Sequence, residues 1–287
     1  MEQKKIGLVL EGGAMRGLFS AGVMDVMMEH GISYDGAIGV SAGAVFGCNY
    51  KSNQPGRSLR YNLAYCRDPR YCSLRSWLKT GDLYGADFCY RELPDELDIF
   101  DWDSFDSSPM EFYAVCTNVE TGGPVYKKCE KADRSSMDWI RASASMPLAS
   151  RIVELDGYQL LDGGVADSIP LRYFQEIGYE KNVVVLTQPR NYRKRKNKQL
   201  PLLRVALRKY PEMIRAMENR HNRYNETLDY IREQEQLGKV FVISPAAPLE
   251  VGAVERHPER LQSVYQLGRA AANRQLEDLH AFLEKPL

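Results

Sequence analysis

The chain has 287 residues with 38 basic and 38 acidic side chains, so its formal net charge at pH 7 is zero. This balance excludes a global attraction to nucleic acid or to an acidic partner, because any electrostatic contact then has to be local. The length fits one large α/β domain or two small ones, and the sequence has no run of the ~20 apolar residues that a membrane-spanning helix needs.

The first fifty residues predict strands and helices in alternation. Apolar runs at 5–10 and 35–40 are typical of strands covered on both faces. Helices are expected over 18–29 and 42–50, and Gly31 closes the first of them. The order strand, helix, strand, helix predicts a parallel sheet with right-handed crossovers.

The next segment, 55–105, is rich in Arg, Tyr and Asp and is interrupted by Pro69, Gly81 and Pro94. We expect it to form an irregular helical insertion over the sheet edge and not a separate domain. The rest of the chain predicts strands at 110–119, 151–155, 158–161, 182–187 and 239–243, and helices at 137–145 and 258–283.

A basic stretch covers residues 190–223, with twelve Lys or Arg residues against two acids. It is interpreted either as a solvated helix face over the core or as a patch that makes peripheral contact with anionic lipid. Nucleic-acid binding is not expected, because no recognised nucleic-acid-binding module accompanies the charge.

The first chemical signal is Gly39-Val40-Ser41-Ala42-Gly43, which stands between a predicted strand and a predicted helix. A strand that leads through Gly-x-Ser-x-Gly into a helix is typical of a nucleophile elbow. Gly39 and Gly43 remove side chains that would clash in so tight a turn. Ser41 is therefore the candidate nucleophile.

The second signal is the glycine-rich segment 11–17, directly after the first strand. Its glycines allow backbone N–H groups to point at one anion. It lacks the Lys-Ser/Thr pair of a P-loop and the second glycine of the dinucleotide fingerprint. It is either a structural turn or, beside an elbow serine, an oxyanion hole.

The third signal concerns the base. The four histidines are His30, His221, His257 and His280, and none follows a strand as a hydrolase histidine does. Asp162 does follow a predicted strand, and Gly163 and Gly164 come next. Asp162-Gly163-Gly164 is either a simple turn or the site of a partly desolvated carboxylate base.

Together these segments resemble the patatin-like phospholipase family over residues 5–190. The matching motifs are Gly12-Gly13-Ala14-Met15-Arg16-Gly17, Gly39 to Gly43, and Asp162-Gly163-Gly164, and Ala142 to Pro147 resembles the small-residue helix and proline that precede the family's catalytic Asp. Ala14, where plant patatins often carry a third glycine, favours a bacterial-type branch.

The resemblance implies an α/β fold of three layers, α/β/α, around a mainly parallel central sheet. It implies a lipid acyl hydrolase of the phospholipase A or lysophospholipase type. Ser41 would be the nucleophile and Asp162 the proton acceptor. The amides of Gly12, Gly13 and Ala14 would bind the oxyanion, with Arg16 nearby. No metal and no cofactor are expected.

Three alternatives remain open from the sequence. The chain is a soluble carboxylesterase or thioesterase for short acyl groups, a non-catalytic lipid-binding protein on the same scaffold, or a hydrolase that uses His257. We expect residues 1–190 to form the catalytic core and residues 191–287 a helical extension that completes the same domain. A cytoplasmic location is expected, because the six cysteines show no metal or disulfide spacing.

Overall fold

A computed structural model describes residues 5–285, and it contains one central mixed sheet. The strands of the described chain are β1 Ile6–Leu10, β2 Gly36–Val40, β3 Glu111–Asn118, β4 Pro124–Lys128, β5 Val153–Leu155, β6 Tyr158–Asp162, β7 Lys181–Val185 and β8 Val240–Ile243. Their order is β5-β6-β3-β2-β1-β7-β8, with β4 paired to β3.

The sheet is mainly parallel, as the sequence predicts. The neighbours among β3, β2, β1, β7 and β8 all pair in parallel, whereas β4, β5 and β6 form an antiparallel side. The β4 strand was not predicted. Its residues are half-buried or exposed and end in two lysines, so its sequence shows no apolar alternation.

The helices surround the sheet. They are α1 Gly17–Glu29, α2 Ala42–Lys51, α3 Arg57–Tyr65, α4 Leu74–Thr80, α5 Trp102–Ser107, α6 Arg134–Ser143, α7 Leu171–Glu176, α8 Leu200–Ala206, α9 Pro211–Gln236, α10 Pro258–Arg274 and α11 Leu276–Glu284. A π-helical stretch, Phe88–Leu97, lies between α4 and α5. The single final helix expected at 258–283 is instead two helices separated at Gln275.

The side chains of β1 alternate between two helical layers. Leu8 and Leu10 belong to a core with residues of α1, α2 and α10, while Val9 belongs to a core with residues of α7 and α9. Alternation of successive side chains across a strand is what allows both faces of the sheet to be covered. The α/β/α arrangement is therefore confirmed.

The carboxyl-terminal helices pack directly on the amino-terminal half. Tyr265 of α10 donates a hydrogen bond at 2.6 Å to the buried Asp25 of α1. The division at residue 190 stays a prediction, and its outermost residues, 1–4 and 286–287, lie outside the described residues. Between residues 5 and 285, no helix is long and apolar enough to cross a membrane.

The register of β3 brings two chain segments to one place. Val115 pairs with Val40, the last residue of β2, and the next residue, Cys116, pairs with Asp162, the last residue of β6. Because β4 occupies the other edge of β3 at these positions, β2 and β6 end beside each other on the same edge. Ser41, which follows Val40, is thus placed next to Asp162.

Candidate active site

Ser41 occupies a strained turn between β2 and α2. Its backbone dihedral angles are φ 55° and ψ −122°. A positive φ costs a residue with a Cβ atom about 1 to 3 kcal/mol, and such strain persists only where the surrounding structure holds it. The side chain of Ser41 is largely buried, at 7% exposure, and it directly precedes the positive end of the α2 dipole.

The two flanking glycines have a steric reason. A Cβ atom on Gly39 would lie 2.4 Å from the carbonyl oxygen of Gly43, and one on Gly43 would lie 2.4 Å from the carbonyl oxygen of Leu10. Strand β2, helix α2 and the end of β1 therefore cross without room for a side chain. The structure brings Gly39, Ser41 and Gly43 together as an elbow, as their spacing predicts.

Ser143 supports the elbow from α6, a role that the sequence did not reveal. Its hydroxyl accepts a hydrogen bond at 2.9 Å from the backbone N–H of Ser41 and donates one at 2.6 Å to the carbonyl of Val115. Ser143 is fully buried. Its hydroxyl therefore links the turn to β3 and is the hydrogen-bond acceptor of the Ser41 N–H.

The glycine-rich loop lies against Ser41. A Cβ atom on Gly12 would stand 3.1 Å from that of Ser41, and Ala14 has a positive φ of 48°. Within residues 5–285, no group accepts a hydrogen bond from the N–H groups of Gly12, Gly13 or Ala14. These backbone donors are therefore available to a bound anion.

Glu11 fixes this loop from behind, a second role that the sequence did not reveal. One carboxylate oxygen accepts a hydrogen bond at 2.6 Å from the Tyr224 hydroxyl of α9. The other accepts one at 2.6 Å from the N–H of Thr187, which follows β7. Burial raises the pKa of Glu11, and these two hydrogen bonds oppose that rise.

Asp162 is held by its own turn and by β3. Its Oδ1 atom accepts a hydrogen bond at 2.7 Å from the N–H of Gly164, and its carbonyl accepts one at 2.8 Å from the Thr117 hydroxyl. Gly163 is buried, and a Cβ atom there would lie 2.1 Å from the carbonyl oxygen of Val115. The turn therefore packs against β3 with no space for a larger residue.

The electrostatics of Asp162 suit a proton acceptor. Burial raises the pKa of Asp162, while hydrogen bonding from the Ser41 hydroxyl and the positive charges of Arg220 and Lys194 lower it. The net result is a raised pKa. A carboxyl group that lies next to a serine and is more basic than usual can accept the serine proton more readily.

Two cavities meet at Ser41. An apolar cavity of about 840 Å³ lies under the segment 55–97 and is lined largely by aromatic and aliphatic side chains. A polar cavity of about 930 Å³ contains Asp162 and the glycine-rich loop. Ser41 and Ala14 line both cavities, so an ester carbonyl at Ser41 would have its two sides in different environments.

The other predicted residues are distributed as follows. Arg16 lines the polar cavity, whereas Gly17 begins α1 and packs against Ala42.

None of the four histidines, all of them within the described residues, lines either cavity. His257 instead contacts Glu255 at 2.7 Å and precedes α10. Across residues 5–285, no group of three or more His, Cys, Asp or Glu side chains is arranged to hold a metal ion.

Comparison with known proteins defines the class. The patatin-like phospholipase family model matches residues 8–174, which is more than half of the chain. The chain belongs to the patatin-like phospholipase family and is a hydrolase that acts on ester bonds. Residues 210–284 match a second family model, described as a domain of unknown function, DUF6363.

Curated relatives show the same kinship. The uncharacterized protein YjjU of Escherichia coli K12 is 27% identical over 277 residues, which cover 92% of this chain and 75% of YjjU. Lysophospholipase NTE1 of Chaetomium globosum is 29% identical over 61% of this chain, but the match spans 11% of that protein. The patatin-like phospholipase domain-containing protein ZK370.4 of Caenorhabditis elegans is 26% identical over 60% of this chain and 13% of its own length.

Among solved structures, VipD from Legionella pneumophila aligns with 96% of this chain and 67% of its own, with a TM-score of 0.50 and 12% sequence identity. At that identity the likeness concerns the fold alone.

Proposed function

We propose that the protein is a lipid acyl hydrolase of the phospholipase A or lysophospholipase type that uses Ser41 and Asp162 as a catalytic dyad. The observation that carries the proposal is that Ser41 and the buried Asp162 line the same polar cavity and that Ser41 also lines the adjoining apolar cavity. An acyl chain and a polar leaving group can then lie on opposite sides of the serine.

The reaction proceeds by acyl transfer in two steps. Asp162 accepts the Ser41 proton while the serine oxygen attacks the ester carbonyl, and the protonated Asp162 then donates that proton to the leaving alcohol. In the second step Asp162 accepts a proton from the water that attacks the acyl-serine, and it then returns that proton to the Ser41 oxygen as the fatty acid leaves.

Charge stabilisation comes from the glycine-rich loop. The N–H groups of Gly12, Gly13 and Ala14 have no acceptor within the described residues, and they supply donors for the oxyanion. Each such donor is worth about 3 kcal/mol in the barrier. The Ser41 N–H is already bonded to Ser143, so it is not one of these donors.

We propose that the carboxyl-terminal part, residues 191–287, belongs to the same catalytic unit. Tyr224 of α9 anchors Glu11 behind the glycine-rich loop, and Lys194 and Arg220 line the polar cavity. Residues 191–287 thus complete a site that residues 1–190 begin. The cytoplasmic location stays a prediction.

We further propose that, within the basic stretch 190–223, α8 and the residues after it make the peripheral membrane contact. Leu202 and Val205 of α8 are 58% and 69% exposed, while the intervening Leu203 lines the polar cavity. Arg208 and Lys209 follow and are exposed. Other cations of the basic stretch pair with acids instead, namely Arg190 with Glu235, Arg193 with Asp229, Arg204 with Glu218 and Arg215 with Glu212.

Each Lys or Arg side chain near an anionic membrane surface contributes about 1 kcal/mol to binding. Cosedimentation with phosphatidylserine vesicles therefore tests this contact. The variant Leu202→Ser/Val205→Ser should bind several-fold more weakly than wild type. Equal binding of the two proteins would show that Leu202 and Val205 take no part in the membrane contact.

Hydrolysis of long-chain acyl esters tests the proposed function. Ser41→Ala and Asp162→Asn should each lower kcat by at least about 100-fold. Asp167→Asn is the control, because Asp167 is a half-buried carboxyl nearby whose pKa is also raised by burial but which accepts a hydrogen bond from Tyr126. Wild-type activity confined to short acyl chains would favour the esterase or thioesterase alternative, and folded wild type without turnover would favour the lipid-binding one. Loss of turnover in His257→Ala would support the histidine alternative.

A further inference from the structure

The polar cavity beside Ser41 holds three cationic side chains, Arg16, Lys194 and Arg220. Arg16 comes from the amino-terminal loop, Lys194 from the loop after β7, and Arg220 from α9. Within the part of the chain that the structure describes, none of the three makes an ion pair. Three cations from distant segments therefore converge on one space, where the acids Glu11 and Asp162 also lie but form no ion pair with them.

Both arginines of the cavity have a donor atom without a hydrogen-bond partner. The Nε atoms of Arg16 and Arg220 are buried and have no hydrogen-bond partner. The Nη2 atom of Arg220 lies 3.2 Å from the position that a Cβ atom on Gly164 would take, so its guanidinium stands beside the Asp162 turn. A buried unpaired donor is costly, and a bound anion would remove that cost.

Lys194 is placed by α9. Its backbone N–H donates at 2.8 Å to the side chain of Asn225, which in turn donates at 3.0 Å to the Lys194 carbonyl. Its ammonium group lies 4.4 Å from the centre of the Tyr224 ring. Burial and then the nearby charge of Arg220 lower the pKa of Lys194 to about 8, and the charges of Glu11 and Asp162 oppose that change.

The acids of the cavity do not neutralise these charges directly. Both oxygens of Glu11 are occupied, by Tyr224 and by the N–H of Thr187. Oδ1 of Asp162 accepts a hydrogen bond from the N–H of Gly164, and hydrogen bonding from Ser41 lowers the pKa of the same carboxyl. The positive side of the cavity is therefore left for a ligand.

We propose that Lys194 and Arg220, with Arg16, bind the phosphate group on the leaving-group side of the substrate, so that the protein selects phosphate-bearing lipid esters over neutral ones. This inference rests on the proposed function, because it takes Ser41 as the point of attack. The apolar cavity accepts the acyl chain, so the alcohol side of the ester must enter the polar cavity. Charged donors bind phosphate oxygens strongly, and Arg220 and Lys194 are the donors found there.

The first experiment compares two substrates with the same acyl chain, 1-acylglycerol and 1-acylglycerol 3-phosphate, below their critical micelle concentrations. The ratio of their kcat/KM values should favour the phosphate ester in wild type and fall at least tenfold in Lys194→Met. Lys194→Arg should restore most of the ratio, because it keeps the charge. Lys196→Met is the matched control, since Lys196 is exposed two residues away and does not line the cavity, and the ratio should not change.

The second experiment does not depend on turnover. Calorimetry with sn-glycerol 3-phosphate should detect binding to Ser41→Ala, and Lys194→Met introduced into Ser41→Ala should weaken it at least tenfold. Absence of binding, together with an unchanged substrate ratio, would overturn the phosphate site while leaving acylglycerol hydrolysis by Ser41 intact. Binding without any substrate preference would show a site for free phosphate compounds and would also overturn the inference. If neither ester is hydrolysed, the proposed function fails, and the calorimetry still decides whether the cavity binds phosphate.

Discussion

The Ser143 hydroxyl accepts a hydrogen bond from the backbone N–H of Ser41 at 2.9 Å, although the two residues are 102 positions apart in the chain. The same hydroxyl donates to Val115 of β3 at 2.6 Å. The strained turn at Ser41 is thus fixed to the sheet by a fully buried side chain from α6. We regard Ser143 as a positioning residue for the nucleophile.

Ser143→Ala should therefore lower both stability and activity. It leaves a buried N–H and a buried carbonyl without this partner, which costs about 1 to 3 kcal/mol of unfolding free energy. A displaced nucleophile should reduce kcat about tenfold or more, with KM little changed. Denaturant unfolding and ester kinetics measure the two effects.

Ser145→Ala is the control for that variant. The Ser145 hydroxyl bonds only to the Arg141 carbonyl of its own helical segment, while its backbone carbonyl, which accepts from the N–H of Asp162, is retained. Equal losses of kcat in the two variants would contradict a specific role for Ser143.

The strained backbone conformation of Ser41 leads to a separate prediction about stability. Because φ is 55°, replacement by glycine relieves strain that alanine retains. Ser41→Gly should be more stable than Ser41→Ala by about 1 kcal/mol, and both should be inactive. Denaturant unfolding of the two variants measures this difference, and an alanine variant of equal or greater stability would show that the turn is not strained.

Local sequence spacing predicted the parts of the site that lie within single turns. Ser41 with its two glycines, and Asp162 with Gly163, are each set by a strand end and by residues that must be small. The parallel sheet was predictable for the same reason, because apolar runs and glycines mark the ends of its strands.

The supporting contacts could not be predicted, because they join distant segments. Tyr224 and Glu11 are 213 residues apart, and no spacing rule connects them. Lys194 and Arg220 were part of a stretch interpreted only as basic, since charge alone does not tell which cations point inward. Strand β4 was missed because its pairing with β3, and not its own composition, makes it a strand.

The activity should depend on pH through Asp162. Burial raises the pKa of this carboxyl, and the positive charge of Arg220 partly lowers it again. Because the base must be ionised, kcat/KM for a neutral ester should fall as the pH falls through that pKa. Arg220→Gln removes a charge that favours ionisation, so its acid limb should move to higher pH.

A pH profile of kcat/KM, recorded with 1-acylglycerol to keep phosphate binding out of the comparison, checks this. In the control variant Arg215→Gln, on the exposed side of α9, the acid limb of the kcat/KM profile should lie at the same pH as in wild type. A shift of the Arg220→Gln limb to lower pH would have the wrong sign for a carboxylate base near that arginine.

The apolar cavity should set the preferred acyl length. Val45 of α2 lines it, and Val45→Phe would fill space that several methylene groups occupy. Each buried methylene contributes about 0.8 kcal/mol, so the preference for a 16-carbon over an 8-carbon chain should fall about tenfold. Kinetics on the two esters measure it. Val254→Phe, at a 38% exposed position outside the cavity, should keep the wild-type preference, and an unchanged preference in Val45→Phe would place the acyl chain elsewhere.

Covalent labelling with a long-chain fluorophosphonate, followed by peptide mapping, tests the Ser41–Asp162 dyad most directly. We expect an adduct on Ser41 in wild type and in Asp167→Asn at similar rates, and labelling at least about 100-fold slower in Asp162→Asn. An adduct on another serine, or labelling of Asp162→Asn at the wild-type rate, would contradict it.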